Sequence, residues 1–419
     1  MIQTSADQRV RELLAEFEGT GAKGQGLESV SIHPFPARMP CAVAEHLIEQ
    51  TTQPGATVLD PMVGSGTTLV AARRQGRLGV GFDRDPLAVL VSRATTQRLS
   101  TERVEALSSK ILERAKNSIP QIHLSRVRGR LPEEDQQFLR YWFPPRSQKQ
   151  LFALAAAIEE EPEGPERDLS WVVFSSLIIA KSAGASFALD ISRSRPHKNS
   201  EKRIVLPFDG WARRFKIAIA RHPFLNTTVA GEATVHTGDA RSLPLEEDSV
   251  DLVLTSPPYL NAIDYLRAHK FSLVWMGHDL QSLRELRGTM MGTERGLWSL
   301  DGLPQTLEEQ LEVTVSVSRW RAILRQYLSD LRKVLAEAKR VLRPEGLLVL
   351  VVGPSIVAGE ALDAVTVVSE LGSSVGLRYL GSAARSLNPG RRSLPPPSQA
   401  QEGSLDKRMQ HEVLIALRK

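Results

Sequence analysis

The chain has 419 residues, 42% of them hydrophobic, and a formal net charge of +5. That length exceeds what one core usually needs, and the mild basic excess permits a polyanion partner without demanding one. A single cysteine, Cys41, excludes an internal disulfide and fits a reducing cytoplasm. No apolar run approaches the roughly 20 residues of a bilayer span, the N-terminus lacks a secretory pattern, and no Cys/His cluster has metal-ligand spacing.

Val10, Leu13, Leu14 and Phe17 recur at helical spacing and predict a docking helix over residues 5–18, followed by a glycine-rich linker over 19–26. In Ser31-Ile32-His33-Pro34-Phe35-Pro36-Ala37-Arg38-Met39-Pro40, two X-Pro steps force an extended chain, and Pro40 opens a helix over Cys41–Gln50. His33 has no partner ligand nearby for a metal, so a capping or ligand-lining role is expected.

Thr57-Val58-Leu59-Asp60 reads as a short apolar strand ending in a carboxylate, followed by a glycine turn, Pro61-Met62-Val63-Gly64-Ser65-Gly66-Thr67-Thr68, and a helix start. Glycines let the backbone approach a ligand, and a helix N-terminus offers unpaired N–H groups. No Gly-Lys-Ser/Thr closes the turn as in a P-loop, and the third glycine of the dinucleotide fingerprint is missing. Asp60 would repel a pyrophosphate and favour a ligand with a positive amine, which suits S-adenosylmethionine better than NAD or ATP. Asp83 closes the next strand, Leu78–Asp83, roughly 20 residues after the turn, the offset at which an acid accepts ribose hydroxyls. A helix cap is the alternative for Asp83, although Asp85 is better placed for that.

From about Thr95 to Ala230 the strand–helix rhythm stops, and helices are expected over 104–115, 146–159 and 169–181. The densest positive segment follows: Arg193, Arg195, His197, Lys198, Lys202 and Arg203, then Arg213 and Arg214 beside Trp211. Basic residues interleaved with polar and aromatic ones suit phosphates and stacked bases.

Ala233–Asp239 returns to strand, and its terminal acid, Asp239 before Ala240, suits a ligand amino group, with a turn aspartate as the alternative. Val250–Leu254 is a buried strand that enters Thr255-Ser256-Pro257-Pro258-Tyr259. Two prolines cannot continue a ladder, because neither has a backbone N–H. The chain therefore leaves the sheet with a stiff backbone whose carbonyls are expected to have no internal donor. Such a corner fits a planar group bearing an N–H2, with Tyr259 on its face. Residues 278–318, including Met290, Met291 and Trp298, are expected to be irregular, as a substrate-contacting insertion or a lid. Ile323 to Ala338 form a helical stripe, Leu347–Val352 a buried strand, and Arg378–Leu380 with Glu412–Leu417 a closing strand pair, separated by a loop over 387–407.

In this order, the strand-end acids, the glycine turn and Ser256-Pro257-Pro258-Tyr259 resemble the S-adenosylmethionine-dependent DNA amino-methyltransferases. Asp60 to Thr68 is similar to that family's cofactor motif, and His33-Pro34-Phe35-Pro36-Ala37-Arg38-Met39 to its additional N-terminal cofactor segment. The Ser-Pro-Pro-Tyr stretch is similar to its catalytic motif. The resemblance implies a Rossmann-like α/β sheet with helices on both faces and a closing antiparallel strand pair. It assigns 30–95 and 231–419 to the catalytic domain, after an N-terminal helix and linker over 1–29. The mostly helical insertion, 96–230, becomes the candidate DNA-recognition region; its position before Asp239 departs from the family's usual order.

The implied site comprises Ser256, Pro257, Pro258 and Tyr259 for catalysis. His33, Pro34, Phe35, Arg38, Met39, Asp60, Pro61, Gly64, Ser65, Gly66, Thr67, Thr68, Asp83, Asp239 and Ala240 would hold S-adenosylmethionine. DNA is the implied partner, with room for a cognate restriction endonuclease. Serine at position 256 is the form usual in N4-cytosine enzymes. N6-adenine transfer, guanine-N2 transfer on RNA, and an inactive DNA-binding fold are the alternatives. The Pro257 carbonyl and Ser256 would accept the amine protons of a flipped-out base, and Cys41 is not needed as a nucleophile.

Overall fold

The computed structural model of the protein describes residues 2–18, 31–35, 38–180, 183–191, 196–228, 231–258, 265–291, 302–314, 318–353, 355–357, 360–386 and 411–419. The chain opens with α1 (Ile2–Ala15) and α2 (Cys41–Thr51), then alternates through β1 (Thr57–Asp60), α3 (Thr67–Arg74), β2 (Leu78–Asp83) and α4 (Pro86–Thr96). The insertion holds α5 (Thr101–Ser118), α6 (Leu124–Arg128), α7 (Glu133–Trp142), α8 (Pro145–Glu159), α9 (Pro165–Ile178), the short strands β3 (Ala188–Leu189) and β4 (His197–Lys198), and α10 (Pro207–Arg221). After it come β5 (Glu232–Thr237), β6 (Val250–Thr255), α11 (Tyr265–Leu273), α12 (Leu280–Gly288), α13 (Gln305–Thr314) and α14 (Ser318–Val341). The chain closes with β7 (Leu342–Val352), β8 (Ser355–Val357), β9 (Glu360–Leu362), α15 (Ala364–Ser374), β10 (Arg378–Ser386) and β11 (His411–Arg418).

Seven strands share one sheet in the order β10-β11-β7-β6-β1-β2-β5. The five strands from β7 to β5 run parallel, whereas β11 pairs antiparallel with both β7 and β10. The chain builds from β1 outward through β2 to β5, then crosses back to β6 on the other side of β1. That reversal opens a crevice at the carboxyl ends of β1 and β6, where ligands bind in doubly wound sheets.

Alternation along Leu347–Val352 explains why that part of β7 is continuously apolar. Leu347, Val349 and Val351 face one core with Leu47 and Ile48 of α2, while Leu348, Leu350 and Val352 face a second core with Leu328, Leu331 and Leu335 of α14. Both faces are buried over Leu347–Val352, so no polar position survives there. A third core joins Leu87 and Val91 of α4, Leu139, Leu151, Leu154 and Trp211 of the insertion, and Phe271 of α11. The insertion thus packs as part of the wall behind the crevice.

The region expected to be irregular, 278–318, instead contains α12 and α13. Asp279 caps α12 by accepting from Ser282 N at 2.7 Å, and Leu280 and Leu283 bury its apolar edge. The helix is only nine residues long and rich in charge, so its periodicity is weak in sequence. Helix α15 and the β8–β9 hairpin were not anticipated. The expected linker 19–26 and loop 387–407 lie outside the described residues. Among the described residues, no helix is long and apolar enough to cross a membrane, and no group of three His, Cys, Asp or Glu is placed to hold a metal ion.

Candidate active site

A cavity of about 120 Å3, partly open to solvent, lies over the sheet crevice. Its lining includes Phe35, Arg38 and Met39 from the segment before α2, and Asp60, Pro61, Met62, Val63, Gly64, Ser65, Thr67 and Thr68 from β1 and the glycine turn. Asp83, Asp239, Ala240, Ser256 and Pro258 complete the residues expected from sequence. His33, Pro34, Gly66 and Pro257 do not line it.

The glycine turn is held by the acid at the end of β2. Gly64 N donates to Asp83 Oδ2 at 2.9 Å, and Asp85 N donates to Asp83 Oδ1 at 2.9 Å. Gly66 caps α3 with φ +85° and Gly64 has φ +50°, a backbone region that favours glycine. Burial, with the neighbouring Asp85 charge, pushes the Asp83 carboxyl up to about 7. Asp60, only 5% exposed, accepts from Thr255 Oγ1 at 2.7 Å and from Met62 N at 3.2 Å, which ties the ends of β1 and β6 together. Burial pushes its carboxyl up to about 6, partly offset by hydrogen bonds from Thr255, Thr68 and Met62. Asp85, as expected, caps α4 by accepting from Leu87 N at 2.9 Å.

Two expectations about individual groups are corrected. Asp239 lies past the end of β5, and both its oxygens are taken. Arg241 donates to Oδ1 from Nε at 2.9 Å and to Oδ2 from Nη2 at 2.8 Å, and Arg84 donates to Oδ2 at 2.8 Å. Partial burial raises its pKa, but the hydrogen bonds and charges of Arg241 and Arg84 outweigh that and leave it below the usual carboxylate range. An acid open to a ligand amine is therefore replaced by an ion-pair network, in which Arg241 also reaches Asp330 at 2.7 Å. The second correction concerns the proline corner. The Pro258 carbonyl does have an internal donor, Tyr327 Oη of α14, at 3.1 Å.

His33 is buried, with Nε2 2.9 Å from Ser175 Oγ, which in turn donates to Ser272 Oγ at 2.8 Å. Burial, with the nearby His269 charge, keeps it neutral well below its usual pKa. Its place is thus a polar link between the N-terminal segment, α9 and α11. Phe35 stacks on Tyr265 with ring centroids 5.5 Å apart and planes 25° from parallel. Burial and the Arg221 charge push the Arg38 guanidinium down to about 10. Tyr265, Arg84, Arg241, Met290, Met291 and Val334 also line the cavity. Sequence reading singled out Met290 and Met291 but missed Tyr265, Arg84, Arg241 and Val334, because these come from four separate segments that only the fold brings together.

The basic segment lies elsewhere. Arg193 and Arg195, and the catalytic candidate Tyr259, fall outside the described residues. His197 Nδ1 is 3.8 Å from Asp190 Oδ2, and Lys198 Nζ sits 4.2 Å from the Tyr141 ring centroid. Lys202 Nζ turns inward to donate to Ala188 O at 2.5 Å, and burial pushes its pKa down to about 8. Arg203 and Arg213 are exposed, whereas Arg214 is partly buried, and that burial lowers its pKa. Trp211 is fully buried and donates from Nε1 to Ser108 O at 3.0 Å, so it is a core residue and not a stacking platform. Cys41 donates to Glu45, and burial pushes its thiol up to about 12.

Residues 11–92 match a family model described as DNA methylase. The chain is 24% identical over 279 residues to the type II methyltransferase M.BsoBI of Geobacillus stearothermophilus, covering 58% of this chain and 52% of that protein. It is 22% identical over 411 residues to the type II methyltransferase M.MvaI of Kocuria varians, covering 92% of this chain and 90% of that one. The chain thus spans about half the length of the first relative and nearly all of the second. Among solved structures, a SAM-dependent methyltransferase of Methanosarcina mazei aligns over 89% of this chain and 96% of its own, at 10% identity and a TM-score of 0.33. Together, the family match over residues 11–92 and these relatives make the chain similar to the S-adenosylmethionine-dependent DNA amino-methyltransferases, on a sheet whose crevice gathers the glycine turn and the Ser-Pro-Pro corner.

Proposed function

We propose that this chain transfers a methyl group from S-adenosylmethionine to an exocyclic amine of a DNA base, the N4 of a flipped-out cytosine, in the cytoplasm. One observation supports this most: Ser256 and Pro258 share a cavity wall with Asp60, Gly64 and Asp83, although they lie nearly 200 positions apart in sequence. The residues present fit the cofactor. Two buried carboxylates with raised pKa values gain from hydroxyl donors and from positive charge, and they would oppose a pyrophosphate. Asp83 would accept ribose hydroxyls, Gly64 and Ser65 would admit the ligand close to the backbone, and Phe35 and Met39 would cover its apolar parts. When bound, S-adenosylmethionine supplies an electrophilic methyl on a sulfonium.

The chain's own work is alignment. An exocyclic amine is a poor nucleophile because its lone pair is delocalised into the ring. Ser256 and the Pro257 carbonyl would accept its two protons and hold the nitrogen toward pyramidal, with Tyr259 against the base. Tyr327, by donating to Pro258 O, keeps the corner from swinging. Well-placed reactants gain roughly 7–11 kcal/mol from alignment.

Incubation with radiolabelled S-adenosylmethionine and DNA, followed by digestion to nucleosides, tests the proposal. N4-methylcytosine is expected. N6-methyladenine would keep the reaction and replace the target, and label on RNA alone would favour guanine-N2 transfer. DNA binding with no cofactor binding by calorimetry would make the chain an inactive member of its family.

A further inference from the structure

Two arginines meet on one backbone carbonyl beside the cofactor cavity. Arg84, just past β2, donates from Nη1 to Thr289 O at 3.0 Å, and Arg241, after β5, donates from Nη2 to the same oxygen at 2.9 Å. The same two nitrogens each donate to Asp239 Oδ2 at 2.8 Å. Each Nη group carries two protons and each oxygen can accept two, so the four contacts close on one another. Thr289 ends α12, and its carbonyl is of the kind a helix terminus leaves without an internal partner. The next two residues, Met290 and Met291, line the cofactor cavity, as do Arg84, Asp239 and Arg241 themselves.

Helix α14 extends this clasp to the proline corner. Arg241 donates from Nη1 to Asp330 Oδ1 at 2.7 Å, and the Asp330 side chain is only 3% exposed. Tyr327, three residues before Asp330, donates to Pro258 O, and Val334, four residues after it, lines the cavity. That spacing puts all three on one face of the helix. One rigid stripe thus sets the distance between the Ser-Pro-Pro corner and the clasp. The other end of α12 is anchored too, by Leu280 N donating to Asp135 Oδ1 of α7 at 3.0 Å.

Sheet order shows which part of the cofactor this wall would meet. The corner follows β6, the glycine turn follows β1, Asp83 ends β2 and Asp239 follows β5, and these strands are neighbours in the order β6-β1-β2-β5. A cofactor with its methyl at the corner and its ribose at Asp83 puts its flat base toward β5, on the side of Met290 and Met291. Thioether side chains are polarizable and pack well against aromatic rings.

We propose that Arg84 and Arg241 are positioning residues for S-adenosylmethionine: they hold Thr289 so that Met290 and Met291 wall in its base. The proposal rests on the cofactor reading above. Asp239 serves it as the acceptor that aligns both guanidinium groups, in place of binding the ligand itself.

Calorimetry on the full-length protein, with S-adenosylmethionine and with S-adenosylhomocysteine, tests it. Arg84→Gln is expected to weaken both ligands by the same factor, about fivefold, the size of one net hydrogen bond, because the two share their adenosine end. Arg84→Lys should restore affinity to within about twofold, since Arg84 uses a single nitrogen here and an ammonium also has donors for both acceptors. With plasmid DNA as acceptor, the KM for S-adenosylmethionine should rise by more than kcat falls. Met290→Ala/Met291→Ala should weaken both ligands by about tenfold through lost apolar contact. Adding Arg84→Gln to that variant should cost less than about twofold more, because the clasp acts through the same wall. If Arg84→Gln fails to fold, Arg241→Gln/Asp330→Asn, which removes both charges of the buried pair, serves instead with the same loss expected. A lower melting temperature with unchanged cofactor affinity would make the clasp a helix cap and overturn the proposal, as would additive losses in the combined variant. A wild-type chain that binds neither ligand would overturn the cofactor reading itself.

Discussion

His269 Nδ1 of α11 lies 2.6 Å from Asp85 Oδ2, and the two side chains are 1% and 3% exposed. Asp85 spends its other oxygen capping α4, and the His269 ring packs 5.1 Å from Phe35. One buried contact thus ties α11, which begins seven residues after Pro258, to the end of β2 and to the Phe35 segment that lines the cavity.

Removing His269 would leave Asp85 buried without this partner. His269→Ala is expected to destabilise the protein by about 3 kcal/mol or more, within the range for breaking a buried pair. Urea unfolding at neutral pH measures it. A change below about 1 kcal/mol would mean that α11 is held by its apolar face alone.

Asp83 gives the stability a pH slope. A carboxylate in the unfolded chain is ionised above about 4, whereas the folded protein holds the Asp83 proton up to about 7. Between those values the folded state binds more protons, so stability falls as pH rises from about 4 to about 7 and this contribution then levels off. Asp60, raised to about 6, adds a slope of the same sign up to that pH. Urea midpoints at pH 5 and pH 8 should differ less for Asp83→Asn than for the wild type. Asp83→Ala should weaken cofactor binding by about tenfold or more, the loss of a hydrogen bond to a charged group. Because hydroxyl donors favour the ionised carboxylate, cofactor affinity should rise with pH through 7, with proton release seen by calorimetry in buffers of different ionisation enthalpy.

Tyr327 was invisible as a site residue in the sequence, where it is one apolar step of a helical stripe. Its hydroxyl pins the Pro258 carbonyl at 3.1 Å. Tyr327→Phe should cost about 1 kcal/mol of stability and lower kcat, with cofactor affinity kept. Tyr259→Ala should abolish turnover and also leave cofactor affinity largely intact. Single-turnover rates beside calorimetry separate the two effects, and equal losses of rate and cofactor affinity would make these residues structural.

Gly66 has no room for a side chain. Its φ is +85°, and an added Cβ would meet Ser92 Oγ at 3.1 Å and Ser92 Cα at 3.2 Å. Ser92 is itself held by its hydrogen bond to Gly64 O at 2.8 Å. Gly66→Ala should cost at least about 1–2 kcal/mol from the left-handed backbone alone. Thermal unfolding checks the cost, and cofactor affinity should fall with it because the turn shifts.

Strands and their terminal acids were legible because a buried parallel strand writes a short apolar run and because a chain leaving a sheet needs turn chemistry at a fixed place. Asp60, Asp83, the glycine turn and the Ser256–Pro258 corner were each found that way, and the fold gathers them around one cavity. The roles of Asp239 and Trp211 were misread, because a residue's partners are set by segments distant in sequence: Arg84 and Arg241 claim the carboxylate, and Ser108 claims the indole. Short charged helices such as α12 escaped because their apolar edge is only two or three residues wide.

Local sequence thus determined which backbone turns and which acid-tipped strands this protein has, since backbone sterics, proline's missing donor and hydrophobic periodicity act over a few residues. Only the tertiary structure decided which polar groups stay open to a ligand. Burial and charge pairing act between residues that are close in space and far apart along the chain.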